Sequence, residues 1–181
     1  MEAEFDGSLS ADGAEKAAEF VQFCDAFNIP VLTLVNVKGY KADQCSERHM
    51  AKAAASLTYT FANASVPKVT VITGEAYGTA YLTMASKAIG ADIVYAWPNA
   101  SIGMMDSKSA AKIMYEGSDA ATINEKAAEY ATLQNNVTSA ARRGYVDTII
   151  EPEDTRKYVI GAFEMLYTKR EDRPDRKHGT V

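Results

Sequence analysis

The sequence is poor in the side chains on which disulfide and metal chemistry depend. Among 181 residues it has 2 cysteines and 2 histidines, and we expect the cysteines to be free thiols rather than a disulfide framework. Cys45 and His49 are spaced i, i+4, which is half of a metal site. The other histidine, His178, lies in the terminal tail, so the sequence offers no convincing second half and we expect no metal site.

The chain also lacks long apolar runs and an excess of basic residues. No apolar run approaches the roughly 20 residues that a membrane-spanning helix requires, and residues 1–6 lack the basic and apolar regions of a signal peptide. The formal net charge is −5, whereas nucleic-acid binding requires clustered Lys and Arg. We therefore expect a cytoplasmic protein that neither binds nucleic acid nor inserts into a membrane.

Several catalytic motifs are missing as well. The sequence contains no G-x-S-x-G elbow, no H-E-x-x-H, no P-loop and no G-x-G-x-x-G fingerprint. A hydrolase nucleophile and a nucleotide-phosphate loop are therefore not expected. Any chemistry must depend on backbone amides or on groups supplied by a partner.

What is present is the pattern of one α/β domain. Hydrophobic residues make up 47% of the chain, enough for a sizeable core. Apolar β-branched runs alternate with helical periodicity, which predicts a mostly parallel sheet. The predicted strands are 31–37, buried on both faces, 68–73, 92–96, 100–104 and 146–150.

The predicted helices carry recognisable start and stop signals. Asp12 and Glu15 read as a capping box for a first helix ending near Phe27, with a buried face formed by Ala17, Phe20, Val21, Cys24 and Phe27. A second helix follows the loop 41–46 and buries Met50, Ala53, Ala54, Leu57 and Phe61. A helix is expected near 120–134, and the last begins at Pro152 and carries Lys169 and Arg170 in its final turn. No strand is predicted before the first helix, which suggests a piece of something longer.

The segment 66–82 organises the chain. We predict a strand over 68–73, a turn of small residues over 74–78 and a helix from Gly78 to about residue 88. The first-turn amides of Gly78, Thr79 and Ala80 could then hold a developing negative charge. Equally, the small residues could serve only to pack a helix tightly on a sheet. Two other strand ends could hold ligands. At 38–40, Tyr40 could form a pocket wall. At 104–107 lies Asp106, although an aspartate in such a position is more often a plain helix N-cap than a catalytic acid.

The chain resembles the C-terminal half of the carboxyltransferase subunit of biotin-dependent acyl-CoA carboxylases and their relatives. The resemblance rests on segments spread over nearly the whole sequence: Phe20–Pro30, Val66–Thr73, Ala76–Tyr81, Gly90–Pro98, Arg143–Asp147, Ile150–Pro152, Thr155–Lys157, Thr168–Arg170 and Lys177–Gly179. It implies a crotonase-like α/β fold of repeated ββα turns. It also implies one biotin-side domain over 1–181, with a leading segment 1–9 and an extended tail 171–181.

The resemblance further implies transfer of a carboxyl group between carboxybiotin and an acyl-CoA. By the family pattern, the backbone amides of Thr79 and Ala80 form the oxyanion hole for the biotin ureido oxygen. Biotin would lie beside residues of all three strand ends: Gly39, Tyr40, Tyr77, Gly78 and Met105. The implied partners are an N-terminal carboxyltransferase half that binds the CoA thioester, a biotin carboxyl carrier protein, and further copies in a trimer or hexamer.

The sequence departs from the family pattern at the proposed site. Thr79 replaces the second glycine of the turn, Leu82 stands where an aspartate linked to acyl choice is common, and segment 105–109 has lost two glycines. Two alternatives stay open. One is a self-sufficient crotonase-type hydratase or isomerase, which would need carboxylates such as Glu75 and Asp106. The other is a non-catalytic assembly domain.

Overall fold

The fold is taken from a computed structural model, which describes residues 7–171 apart from the side chains of Cys45 and Ser46. The predicted Cys45–His49 pair and the tail beyond Glu171 therefore lie outside the described residues. Between residues 7 and 171, no three potential metal-ligating side chains cluster together. None of the helices in that range is long and apolar enough to cross a membrane.

Strands and helices alternate along most of the chain. The strands are β1 (Ser8–Leu9), β2 (Val31–Val37), β3 (Gly39–Tyr40), β4 (Lys68–Tyr77), β5 (Ile93–Ala96), β6 (Ser101–Gly103) and β7 (Thr148–Ile149). The helices are α1 (Ala11–Ala26), α2 (Gln44–Asn63), α3 (Gly78–Thr83), α4 (Ser107–Met114), α5 (Ala120–Tyr130), α6 (Val137–Arg142) and α7 (Thr155–Met165). Short 3₁₀ turns cover Lys87–Ile89 and Pro152–Asp154, and a π-helical turn covers Ala131–Asn135.

The main sheet is entirely parallel, as predicted. Its strands lie in the order β2-β4-β5-β7, and β6 pairs with the end of β4 beyond β5. A small separate sheet joins β1 to β3, so a short strand does precede the first helix. Parallel pairing places the carboxyl ends of β2, β4 and β6 at one edge of the molecule.

The start of α1 differs from the prediction. Ser10, not Asp12, is the N-cap, and its Oγ accepts a 3.1 Å hydrogen bond from the Gly13 amide. The buried face consists of small residues: Ala11, Ala14, Ala18, Val21 and Cys24. Phe20 and Phe27 were predicted to be buried, yet they are 62% and 64% exposed. The reason is that alanines let α1 lie close against α2, so the larger rings face outward.

Strand β2 has the predicted bounds but not the predicted burial. Val31, Val35 and Val37 are buried, whereas Leu32 and Leu34 on the opposite face are 43% and 59% exposed. Their neighbours across the sheet on β4, by contrast, are fully buried because α7 covers that region. β2 is an edge strand, and α7 does not cover it.

Strand β4 continues past its predicted end at Thr73. A bulge in the pairing of β2 with β4 places Thr73, Gly74 and Glu75 opposite Asn36. The Asn36 side-chain oxygen accepts the Glu75 amide at 3.0 Å, which keeps the backbone bonded through the bulge. The residues predicted to form a turn therefore belong to a strand, and α3 ends at Thr83 rather than near residue 88.

The C-terminal elements also shift. Helix α6, for which no bounds were predicted, begins at Val137 because Asn136 caps it by accepting the Thr138 amide. α7 ends at Met165. Lys169 is thus not in its last turn, and its ammonium instead lies 2.9 Å from the Asp92 carboxylate. This ion pair ties the segment after α7 to the start of β5.

Candidate functional site

The site is centred on the junction of β4 and α3. Gly78 has φ 62°, and a Cβ there would lie 3.2 Å from the Met104 carbonyl oxygen, so the close passage of β6 and the left-handed backbone both favour glycine. Tyr77 makes no side-chain capping bond to the helix. The amides of Gly78, Thr79 and Ala80 have no intrahelical acceptor because they lie in the first turn of α3.

The three predicted strand ends lie at one edge. Val37 is paired with Ala76, next to the junction, and Tyr77 is paired with Gly103. Strand β3, formed by Gly39 and Tyr40, follows β2 at this edge, and the loop after β6, which contains Met105, leaves the sheet there too. The structure therefore brings all the predicted site segments together, although their roles stay predictions.

Tyr40 is joined to α3 by hydrogen bonds. Its hydroxyl lies 2.8 Å from the Thr83 Oγ1, and that Oγ1 donates to the Ala80 carbonyl at 3.0 Å. Because a threonine hydroxyl has one proton, Tyr40 is the donor of the first bond. Burial raises the pKa of Tyr40, so it stays neutral. Its hydroxyl holds α3 in place rather than facing a ligand.

Tyr77 has a comparable structural contact. Its side chain is buried, and its hydroxyl lies 2.7 Å from the Ser101 Oγ. The bond joins the end of β4 to β6, beside the backbone pairing of Tyr77 with Gly103. Tyr77 thus fixes the direction in which the chain enters α3.

A cavity of about 250 Å³ lies beside α3. Gly78, Leu82, Ile102 and Met104 supply much of its apolar wall. Its other side contains residues that the sequence reasoning did not assign to a site: Gln134, Arg143 and Tyr145. Arg143 donates to Gln134 across the rim. The one sequence signal for this side was the Arg143–Asp147 segment of the family resemblance.

Tyr81 separates this cavity from the core. Its ring lines the cavity, and its buried hydroxyl has no hydrogen-bond partner among the described residues. Burial, with a smaller contribution from Tyr145, raises the pKa of Tyr81 to about 12. The side chain is therefore neutral at physiological pH and cannot act as a base there.

The two carboxylates that a self-sufficient hydratase would need are engaged elsewhere. The Glu75 carboxylate is 3.7 Å from the Lys38 ammonium in an exposed pair. Asp106 caps α4 by accepting the amides of Lys108 and Ser109 at 3.0 Å. Hydrogen bonds from Ser109 lower the pKa of Asp106, which is the reverse of what a general acid at neutral pH requires.

Comparisons with known proteins give a family and several relatives. The carboxyl transferase domain family matches residues 2–181. The chain is 47% identical over 97% of its length to a putative propionyl-CoA carboxylase beta chain of Bacillus subtilis. It is 45% identical, again over 97%, to the methylmalonyl-CoA decarboxylase subunit alpha of Propionigenium modestum. These matches cover only 36% and 35% of the two relatives, so the chain spans about a third of their length.

A solved structure is also similar. The transcarboxylase 12S crystal structure, described as a hexamer assembly with methylmalonyl-coenzyme A and methylmalonic acid bound, superposes with a TM-score of 0.92 at 42% identity. The superposition covers 96% of this chain and 34% of the 12S chain. The beta subunit of Pseudomonas aeruginosa geranyl-CoA carboxylase superposes with a TM-score of 0.77 at 24% identity, a likeness of fold alone.

Proposed function

This chain belongs to the carboxyl transferase domain family, and on that premise we propose that it forms the biotin-side part of an acyl-CoA carboxyltransferase. The observation that carries the proposal is the family match over residues 2–181, together with 47% and 45% sequence identity to a carboxylase and a decarboxylase subunit. The predicted crotonase-like fold agrees with the solved relatives. Because those relatives are about three times as long, we propose that the remainder of such a subunit, on the same or another polypeptide, supplies the CoA-binding part.

The backbone of α3 would perform the chemistry of this part. Carboxybiotin on a carrier protein supplies the carboxyl group when bound. The amides of Thr79 and Ala80 would donate to the ureido oxygen as negative charge develops there, since Tyr77 leaves them uncapped. One such donor contributes about 3 kcal/mol to stabilisation of a transition state. The absence of a side chain at Gly78 allows close approach of a ligand at the start of α3, whereas the Ala80 side chain packs in the core.

The other predicted residues would shape the binding site. Tyr40 holds α3 through Thr83, and Gly39, Tyr77 and Met105 border the same edge of the sheet. Leu82 presents an apolar wall to the neighbouring cavity, at the position where the family resemblance links the side chain to acyl choice. These contacts support a site for a compact, largely apolar ring system next to uncapped amides.

The proposed partners follow from the longer relatives. They are an N-terminal carboxyltransferase half that binds the acyl-CoA thioester, a biotin carboxyl carrier protein, and further copies in a trimer or hexamer. The 12S relative is described as a hexamer assembly, which supports the last of these. A cytoplasmic location stays a prediction.

A chimera tests the function. The third of the Propionibacterium freudenreichii 12S subunit that matches this chain is replaced by this chain, and decarboxylation of methylmalonyl-CoA is measured with free biotin. We expect biotin-dependent turnover. Thr79→Pro, which removes one amide donor but is tolerated in the first turn of a helix, should lower the rate about 100-fold.

Thr79→Gly is the matched control, because it keeps the amide and relaxes the backbone. It should retain the rate of the parent chimera, and thermal unfolding of both variants checks that the fold is intact. A proline variant that is fully active would show that the Thr79 amide is not part of the site. A folded chimera with no biotin-dependent turnover would contradict the proposed function itself.

A further inference from the structure

Asn135 is a buried amide at the end of the π-helical turn. Its side chain is 2% exposed, and its Oδ1 has no hydrogen-bond partner between residues 7 and 171. A buried acceptor without a donor destabilises a fold, and native structures contain few of them. Turns of the π type are also rare, and they recur at functional sites. The contacts of this side chain therefore call for a role that offsets its cost.

The Asn135 amide contacts the backbone on both sides of Met104. Its Nδ2 donates to the Met105 carbonyl at 3.2 Å, which fixes the orientation of the amide because a carbonyl only accepts. Its Oδ1 then lies against Gly103, where an added Cβ would be 2.4 Å away. Glycine at this position thus leaves the room in which the oxygen sits. The Met104 side chain is 71% exposed, so its packing does not hold the segment 103–105 in place.

The segment 103–105 supports the start of α3. A Cβ at Gly78 would lie 3.2 Å from the Met104 carbonyl oxygen, so the two backbones are in close contact. Tyr77, the preceding residue, pairs with Gly103. Because α3 has only 6 residues, contacts with its neighbours rather than its own length fix the direction of its first-turn amides. A shift of the segment 103–105 would therefore reach these amides through Gly78.

The backbone around Asn135 is held without the Asn135 side chain. Ser101 and Asn136 form an antiparallel bridge between β6 and the residue after the π-helical turn. The Asn136 side chain caps α6 by accepting the Thr138 amide at 2.6 Å. Truncation of Asn135 should therefore leave the turn and α6 in place and release only the segment that its amide contacts.

We propose that Asn135 is a positioning residue of the carboxyltransferase site. Its amide holds the segment 103–105 against Gly78 and so sets the direction of the first-turn amides of α3. Asn135 touches neither biotin nor the acyl group, and it acts through the Met105 carbonyl. The unpaired Oδ1 is then the cost of placing Nδ2 beside that carbonyl. This inference rests on the proposed function in that the α3 amides serve the biotin ureido oxygen.

Turnover of the 12S chimera tests the role. Asn135→Ala should lower kcat for biotin-dependent decarboxylation of methylmalonyl-CoA about tenfold, because misdirected donors stabilise the transition state less well. The KM for methylmalonyl-CoA should stay within about twofold, since the thioester binds to the N-terminal part. Asn136→Ala is the matched control. It removes the neighbouring amide and the cap of α6, so it should lower the melting temperature yet retain kcat.

A double variant separates positioning from packing. Gly103→Ala combined with Asn135→Ala places a methyl group in the space that the Asn135 amide vacates, without restoring the bond to Met105. Its melting temperature should exceed that of Asn135→Ala, whereas its kcat should stay about tenfold low. Recovery of kcat together with stability would overturn the inference, because Asn135 would then serve packing alone. Full activity of Asn135→Ala would overturn it as well.

Amide NMR of the isolated chain keeps this result separate from the proposed function. Asn135→Ala should shift the backbone amide signals of Gly78, Thr79 and Ala80, whereas Asn136→Ala should leave them in place. Unchanged signals in Asn135→Ala would overturn the inference whatever the turnover. Shifted signals in a chain whose chimera has no turnover would contradict the proposed function and support Asn135 as the residue that orients α3.

Discussion

The bulge between β2 and β4 makes a specific demand on Gly74. A Cβ at this position would lie 2.6 Å from the Asn36 Oδ1 and 3.0 Å from its Cγ. Gly74 is not among the glycines with a positive φ, so alanine would meet no backbone strain there. The cost of Gly74→Ala therefore comes from Asn36 alone.

The magnitude follows from what Asn36 must give up. Its side chain is exposed, so it can rotate away, but it then loses the 3.0 Å bond from the Glu75 amide. That loss costs about 1 kcal/mol, and a strained rotamer adds up to about 1 kcal/mol. Replacing glycine by alanine also stabilises the fold by about 0.7 kcal/mol, because it lowers the conformational entropy of the unfolded chain. We expect a net destabilisation of about 1 kcal/mol.

A double-mutant cycle isolates this contact. In an Asn36→Ala background the clash is absent, so Gly74→Ala should instead stabilise by about 0.7 kcal/mol. Urea unfolding of the four proteins at 25 °C gives both values from the midpoints. If Gly74→Ala has the same effect in both backgrounds, Asn36 is not what requires glycine at this position.

Three further predictions concern folding stability. Gly103→Ala should lower the free energy of unfolding in urea by about 3 kcal/mol, more than Gly74→Ala does. The new Cβ would lie 2.4 Å from Asn135 Oδ1, and Asn135, only 2% exposed, cannot rotate into solvent. An equal loss of stability for the two variants would contradict the burial argument. Leu57→Ala should cost about 3 kcal/mol by the same assay, whereas Phe20→Ala should cost under about 1 kcal/mol in the isolated chain. Asp106→Ala should cost about 1 kcal/mol at pH 7. Because the pKa of Asp106 is lowered on folding, that difference should shrink as pH falls below about 4 and through the folded pKa; a difference independent of pH would show that the carboxylate charge plays no part in the cap.

Much of the fold was predictable because local patterns and tertiary structure agree. The β-branched run Val31–Val37 became a strand with the predicted bounds, and Asp106 capped α4 as expected. The end of β4 was wrong for a physical reason. Gly74 signals a turn locally, but Asn36, far away in sequence, bonds the next amide and keeps the strand paired. Such a contact has no signature in the segment 74–78 itself.

Part of the candidate site was also predictable, because the order of strands along the sequence agrees with their order in the sheet. The strand ends at Tyr40, Gly78 and Met105 could be placed at one edge from the parallel order alone. The far wall of the cavity could not be predicted. Arg143 reaches it from the turn after α6, and no local sequence pattern relates that turn to α3. Helix α3 itself is only 6 residues long, so its position depends on the Tyr40–Thr83 bond and on Tyr77 rather than on its own length.

The two errors about burial share one cause. The sequence pattern of β2 is typical of a strand buried on both faces. The periodicity of α1 placed Phe20 and Phe27 on its buried face. In the structure, both β2 and α1 present apolar side chains to solvent. The leucines of β2 and the rings of α1 lie on opposite faces of the sheet, since Val31 packs with α1 while Leu32 faces away. In both cases the local pattern records only that the side chains are apolar. Whether another element covers them is decided by contacts between segments that are distant in sequence.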